Sequence, residues 1–232
     1  MNSRPITEYD FTLIGCAGGG TNAKIVIMNG IQYIYKKGSS QQHILSEILA
    51  YRLYAAAGAS VPRIWEVYDY ERPGHVIGML IDFIEGGSLL QFGKVLPKPV
   101  LEQIEQTFLY HVLFANWDAK GRDNYIYNPV EKKVYIIDLG GALTFRAKGE
   151  KKTNFGGIVH ELETLPEKAD RFFGRLKDAV IRHRITCSQP IHSIEIQKAI
   201  QNNPQLFNSS KEQQAFAAIV QARIAYIEAY CQ

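Results

Sequence analysis

The stretch from Asn116 to Gly141, NWDAKGRDNYIYNPVEKKVYIIDLGG, constrains the fold more than any other part of the chain. Two short apolar runs, Tyr125-Ile126-Tyr127 and Val134-Tyr135-Ile136-Ile137, flank Asn128-Pro129, a pair with turn chemistry. The segment therefore reads as loop, strand, turn, strand. Asp118 and Asn124 precede the first strand and Asp138 follows the second, so a hairpin brings all three to one end. One carboxylate to receive a hydroxyl proton, with an Asn and an Asp as oxygen ligands for a hard divalent ion, is a set with a chemical use. Each element of it also arises by chance, so the rest of the chain must supply the missing parts.

Upstream, Tyr9 to Ile14 is expected as a strand running into Gly15-Cys16-Ala17-Gly18-Gly19-Gly20-Thr21. Ala23 to Met28 and Ile31 to Lys36 flank Asn29-Gly30, a strong hairpin signal. The glycine turn thus lies between antiparallel strands. A Walker A loop and a dinucleotide fingerprint both lead into a helix, so neither applies. What remains is a turn whose missing side chains let backbone N–H groups approach an anion. Lys36 ends the third strand, and alternation sends Lys37 to the opposite face. Gln42 to Ala57 follows with Ile44, Leu45, Ile48, Leu49 and Leu53 at helical spacing; Gly58 and Pro62 mark its end. Glu47 sits mid-helix beside that stripe. Two further strands, Arg63 to Tyr70 and Val76 to Phe83, lead to Ile81-Asp82-Phe83-Ile84-Glu85-Gly86-Gly87, an apolar run with a flexible break after it.

The second half reads as mainly helical. Pro99 to Ala115 buries Val100, Ile104, Phe108, Leu109, Val112 and Leu113 and delivers the chain into Asn116-Trp117-Asp118. The polar segment ALTFRAKGEKKTNFGG, with Arg146, follows Gly141. Three helices are expected after it: Glu167 to Arg184 carrying Phe172, Phe173, Leu176, Val180 and Ile181, then Pro190 to Gln201, then a last one. The last opens on Ser210-x-x-Gln213, read as a capping box, and buries Phe216, Ile219, Val220, Ile224 and Ile227. A net charge of +3 with scattered Lys and Arg speaks against nucleic acid as a partner. No apolar run approaches the roughly 20 residues of a membrane span, and the start lacks the order of a secretory signal. Cys16, Cys187 and Cys231 have neither metal nor redox spacing, so each is expected as a small apolar residue in a reducing compartment.

Lysines at strand ends and glutamates on helices are common, so only the order of the whole set is informative. The segments GGGTNAKIVI, SEILAYRLYAAAGASVP and HVLFANWD, DNYIYN, VYIIDLGGALTFRAKG, spread over residues 10–165, resemble the bacterial atypical kinases of the kinase-like superfamily. The likeness is nearest to HipA-like and effector-type small kinases and more distant to phosphoinositide kinases. It implies a two-lobed α+β fold. Residues 1–86 would form an N-lobe of antiparallel sheet with one helix, and residues 87–232 a mainly helical C-lobe, together one minimal kinase domain.

The resemblance also implies an ATP-dependent phosphotransferase using magnesium, or manganese in its place. Gly18, Gly19, Gly20 and Thr21 would cover the phosphates, and Lys36 with Glu47 would align them. Ile81 and Phe83 would meet the adenine at the hinge. Asp118 would orient the acceptor hydroxyl, and Asn124 and Asp138 would hold the metal. The chain departs from the family pattern in lacking His-Arg before Asp118, in placing Asn124 six residues after it where five is usual, and in reading DLGG with no APE motif. These departures leave the acceptor open. A Ser, Thr or Tyr hydroxyl of a protein leads, with a lipid or other small molecule, AMP transfer and a non-catalytic module as alternatives. The effector likeness adds a host or regulatory protein partner, and either a cytoplasmic location or export without a signal peptide.

Overall fold

The computed structural model describes residues 4–17, 23–92, 96–168 and 174–232. The expected phosphate-covering residues Gly18, Gly19, Gly20 and Thr21 lie outside these, as do Phe172 and Phe173.

Short β-branched and aromatic runs in the first third assemble into one six-stranded sheet. Its strands are β1 (Ile6–Thr7), β2 (Thr12–Cys16), β3 (Lys24–Met28), β4 (Ile31–Lys37), β5 (Ile64–Tyr68) and β6 (Val76–Asp82), in the order β1-β5-β6-β4-β3-β2. All pairs are antiparallel except β1 with β5. The β3–β4 turn has Asn29 at φ 52° and Gly30 at φ 79°, the left-handed pair that a two-residue hairpin needs. Alternation along β4 puts Tyr33 and Tyr35 on one face, packed with Val26, Val67 and Leu80. The other face carries Ile34 and Lys36 and is covered by α1 (Gln41–Ala56). Ser40 caps that helix through a bond from the His43 N–H, and Gly58 at φ 92° ends it. The Gly58 N–H donates to Ala55 and the Ala59 N–H to Tyr54, closing a Schellman motif.

The remaining residues are mainly helical around a small sheet, β7 (Gly87–Ser88), β8 (Tyr125–Asn128) and β9 (Lys133–Ile136), in that order. The Asn128 side-chain oxygen accepts from the Val130 and Glu131 N–H groups, which makes the expected turn. The long helix expected before the hairpin is split at Thr107 into α2 (Lys98–Gln106) and α3 (Phe108–Leu113). Val100, Ile104, Phe108, Leu109, Val112 and Leu113 are all buried, as expected.

Four expectations are corrected. The two-residue strand β1 is additional. A single helix over 167–184 is replaced by α4 (Glu161–Lys168), a 3₁₀ turn at Gly174–Lys177 and α5 (Ala179–Ser188). Asp178 explains the restart, because its carboxylate accepts from the Val180 and Ile181 N–H groups as an N-cap. Val180 and Ile181 are consequently exposed instead of core. After α6 (Ser193–Gln201), the last helix α7 (Ser210–Tyr230) is capped by Ser209 with Glu212, one residue before the expected box. Finally, Cys187 on α5 and Cys231 at the end of α7 form a disulfide with Cα atoms 5.4 Å apart, and only Cys16 is a free thiol.

His111 on α3 is fully buried where α1, α3 and β8 meet. The Tyr54 hydroxyl lies 3.0 Å from its Nδ1 and the Tyr125 hydroxyl 2.9 Å from its Nε2. Burial pushes this imidazole down to about 3. Between that value and the ordinary histidine range the unfolded chain binds a proton that the folded chain does not, so stability falls as pH falls. Urea unfolding between pH 7 and 4 should show a loss approaching about 1.4 kcal/mol per pH unit for this one proton. A His111→Gln variant should have a flatter profile over that range; an unchanged slope would exclude His111 as its source.

Candidate active site

Lys36, Glu47, Asp118, Asn124 and Asp138 come from four places on the chain; Lys36, Asn124 and Asp138 line one cleft, and Glu47 and Asp118 stand behind that lining. Lys36 projects from β4 under the sheet, and α1 turns Glu47 towards it. The Lys36 ammonium donates to Glu47 Oε1 at 2.6 Å and to Asp138 Oδ1, also at 2.6 Å. Lys36 and Glu47 are buried, whereas about a quarter (26%) of the Asp138 side chain is exposed. Burial works against the Lys36 charge, but the Glu47 and Asp138 carboxylates outweigh it and hold the ammonium above the ordinary lysine range. Burial pushes the Glu47 carboxyl up against the pull of the Lys36 charge, and Asp138 is the partner that faces the cleft. Lys37 points away, exposed, towards Glu8 at 3.5 Å, as strand alternation requires.

Asp138 has φ 53° and ψ 70°, a left-handed conformation uncommon outside glycine and a mark of functional sites. Its N–H donates to the Tyr51 hydroxyl at 3.0 Å. Tyr51 lies one helical turn after Glu47 on the same face of α1, a spacing the sequence already contains. Of the two glycines after Asp138, Gly140 sits in a tight space and Gly141 leaves no room for a side chain. A Cβ on Gly140 would sit 3.2 Å from Glu47 Oε2 and 3.3 Å from His43 Nε2, and one on Gly141 would sit 2.7 Å from the Asp118 Cβ.

Asp118 and Asn124 are joined directly. The Asn124 Nδ2 donates to the Asp118 carbonyl at 2.7 Å and approaches Asp118 Oδ2 at 3.3 Å. Both bonds use the amide nitrogen. Burial pushes the Asp118 carboxyl up, opposed by the bond from Asn124 and reinforced by the charges of Asp138 and Asp123. A carboxyl raised in this way is a better proton acceptor than a surface aspartate.

Arg122–Asn124, between Asp118 and β8, is a 3₁₀ turn. Adjacent side chains there need not diverge, and both Asp123 and Asn124 line the cleft. Asp118 sits behind Asn124 and is half-buried.

The cleft has a volume of about 510 Å³. Ala23, Ile25, Ile34, Ile81, Phe83 and Leu90 line its apolar part; Lys36, Asp123, Asn124 and Asp138 line its polar end. Among the described residues no cluster of three or more His, Cys, Asp or Glu side chains forms an all-protein metal cage.

Behind Asp118 lies a charged support that the sequence reading missed. The Trp117 Nε1–H donates to Glu161 Oε1 at 2.8 Å, and Arg223 of α7 donates to Glu161 Oε2 at 2.7 Å. Arg223 is completely buried and also donates to the carbonyls of Leu113, Val112, Gly156 and Ile158. An arginine in register with Phe216, Val220 and Ile227 on an apolar stripe was the available signal.

No family model matches the chain, and no curated protein matches it. Among solved structures it is similar to a proinflammatory kinase, CtkA, of Helicobacter pylori. The TM-score is 0.68 at 14% sequence identity, covering 97% of this chain and 95% of that one. The α+β architecture is therefore the two-lobed, protein-kinase-like fold that the sequence reading expected.

The glycine contacts make a direct prediction. Gly141→Ala should lower stability by roughly 1–3 kcal/mol in urea unfolding, since the added methyl overlaps the Asp118 side chain. Gly156→Ala, whose Cβ meets nothing within 4 Å, should be near neutral. Equal effects at the two positions would show that the DLGG turn is not packed against Asp118.

Proposed function

We propose that the protein is an ATP-dependent kinase that transfers a phosphoryl group to a hydroxyl of a protein. The observation that carries this reading is the Lys36 ammonium held 2.6 Å from both Glu47 and Asp138 at the polar end of an apolar cleft. An adenine suits the aliphatic part of the cleft beside Ile81 and Phe83, and the phosphates suit the lysine. Gly18, Gly19, Gly20 and Thr21 would cover them.

The donor set also fits a magnesium ion, with manganese as the alternative. Asn124 retains an amide oxygen beyond its two nitrogen bonds, and Asp138 keeps a second carboxylate oxygen beyond its bond from Lys36. Magnesium is commonly held by one or two protein oxygens with phosphates and water completing the shell, so no all-protein cage is needed. Asn124 and Asp138 would hold it there, and it would supply charge neutralisation to the phosphates.

In this reading Asp118 accepts the proton of the substrate hydroxyl. The hydroxyl oxygen bonds to the γ-phosphorus, the bond to the β–γ bridging oxygen breaks, and ADP leaves with that electron pair. The chain's part is positioning and charge placement. Lys36 fixes the phosphates, Glu47 fixes Lys36, and Asn124 orients Asp118. A protein acceptor is favoured over a phosphorylated small molecule by the surroundings of Arg146. That residue is exposed, 3.4 Å from Glu150, and lies over the Trp117 ring instead of lining a deep basic pocket.

Incubation of a cell lysate with γ-labelled or α-labelled ATP, read by mass spectrometry, tests the reading. Label should pass to protein from the γ position only; transfer from the α position would identify an AMP transferase. Asp118→Asn should cut transfer by about 10²–10⁴-fold with nucleotide affinity nearly intact, while Asp123→Asn should have a small effect. The reverse order would make Asp123 the base. Lys36→Ala should likewise be far more damaging than Lys37→Ala, and Asp138→Ala should abolish magnesium-dependent turnover.

A further inference from the structure

Two segments have to meet for Asp118 and Asp138 to share a site: the loop from Phe114 to Asp118, and the Asp-Leu-Gly-Gly turn with the residues after it. Only two backbone hydrogen bonds tie them among the described residues. The Leu143 N–H donates to the Phe114 carbonyl at 2.7 Å, and the Trp117 N–H to the Gly141 carbonyl at 3.4 Å. The chain bends sharply at this junction. Ala115 has φ 50° and Leu143 φ 57°, both left-handed and neither glycine. Something must hold so unfavourable a crossing in place.

Lys152 fills that position. It is buried, and its ammonium donates to the carbonyls of Ala115, Gly141 (2.7 Å) and Leu143 (3.0 Å). Two of these acceptors belong to the left-handed residues. The ammonium also lies 5.0 Å from the centre of the Trp117 ring, next to Asp118. A protonated amine has three N–H donors and meets three acceptors here. The neutral amine has two, and its lone pair would face the third carbonyl.

We propose that Lys152 is a positioning residue that clamps the Asp118 loop to the Asp138 turn only while its amine is protonated, which makes the active geometry depend on pH. This inference rests on the kinase reading for its effect on turnover, but not for its effect on the junction itself. Burial lowers the Lys152 amine to about 7. The groups around it are few and partly opposed. Glu161 of α4 and Asp118 of the loop favour the proton, while Arg223 of α7 and Arg146 of the same segment disfavour it.

The sign separates a clamp from a plain structural residue. Between about 7 and the ordinary lysine value, the unfolded chain holds this proton and the folded chain does not. The contribution of Lys152 to stability therefore rises with pH, while the clamp is lost over the same range. Turnover and global stability should part company, which a residue that merely supports the fold would not produce.

The first test uses the unaltered protein. Amide exchange at Trp117 and Leu143, corrected for the intrinsic pH dependence, should accelerate about tenfold or more as pH rises from 6 to 8.5, with no fall in the urea midpoint. Turnover should fall across the same interval. Protection that stays constant from pH 6 to 8.5 would overturn the inference, whatever the turnover does. If no phosphoryl transfer is found at any pH, the kinase reading fails while the exchange result still decides the clamp.

The second test removes the side chain. Lys152→Ala should lower kcat by about a hundredfold with little change in nucleotide KM, and propylammonium should restore part of it. Rescue should be stronger at pH 6 than at pH 8.5. A folded Lys152→Ala protein with wild-type kcat, or one rescued equally by neutral propanol, would exclude the charged clamp.

Discussion

A single ammonium shared between two carboxylates organises this protein. Lys36 comes from the sheet, Glu47 from the helix beneath it and Asp138 from the far side of the cleft, and all meet within 2.6 Å contacts. Such a buried arrangement is poor value for stability alone, because desolvating the charges consumes most of what their attraction returns. Removing one partner from a buried pair nevertheless costs about 3–5 kcal/mol, since it strands the other. The surrounding structure is consequently committed to keeping all three together. The left-handed backbone at Asp138 sets the turn that brings its carboxylate to Lys36, and Gly140 and Gly141 leave room beside Glu47 and Asp118.

The opposite side of the cleft is built with the same logic. Arg223 is an uncompensated cost unless every donor finds an acceptor, and here its donors reach four backbone carbonyls and Glu161. Glu161 in turn fixes the Trp117 indole. Surface pairs such as Lys37 with Glu8 contribute little by comparison, because water screens them and the side chains stay mobile. Buried charge thus marks the route from α7 to the loop carrying Asp118.

Much of this was legible in the sequence wherever local rules decide the outcome. The Asn29-Gly30 hairpin, the burial of Lys36 against the exposure of Lys37, and the gathering of Asp118, Asn124 and Asp138 all follow from periodicity and turn chemistry. The failures have identifiable physics. Strand β1 is two residues long and exists through parallel pairing with β5, far away in the chain. Strand alternation would send Asp123 and Asn124 to opposite sides, but Arg122–Asn124 forms a 3₁₀ turn and both line the cleft. Asp178 captures two N–H groups and starts a new helix inside what the apolar spacing presents as one. Lys152 had no signal at all, because its role comes from carbonyls that only the folded junction brings together.

The position of Arg223 has a consequence for the order in which the molecule can be completed. The guanidinium binds the Leu113 carbonyl across 110 residues of sequence and the Val112 carbonyl across 111. Helix α7 emerges from the ribosome long after the hairpin and the sheet. Until it docks, Glu161 and the carbonyls of α3 face water, and the ground behind Trp117 is unfilled. The centre of the molecule is therefore finished by an element made long after it. A nascent chain can own every residue of the cleft and still lack the means to hold them until α7 has been made.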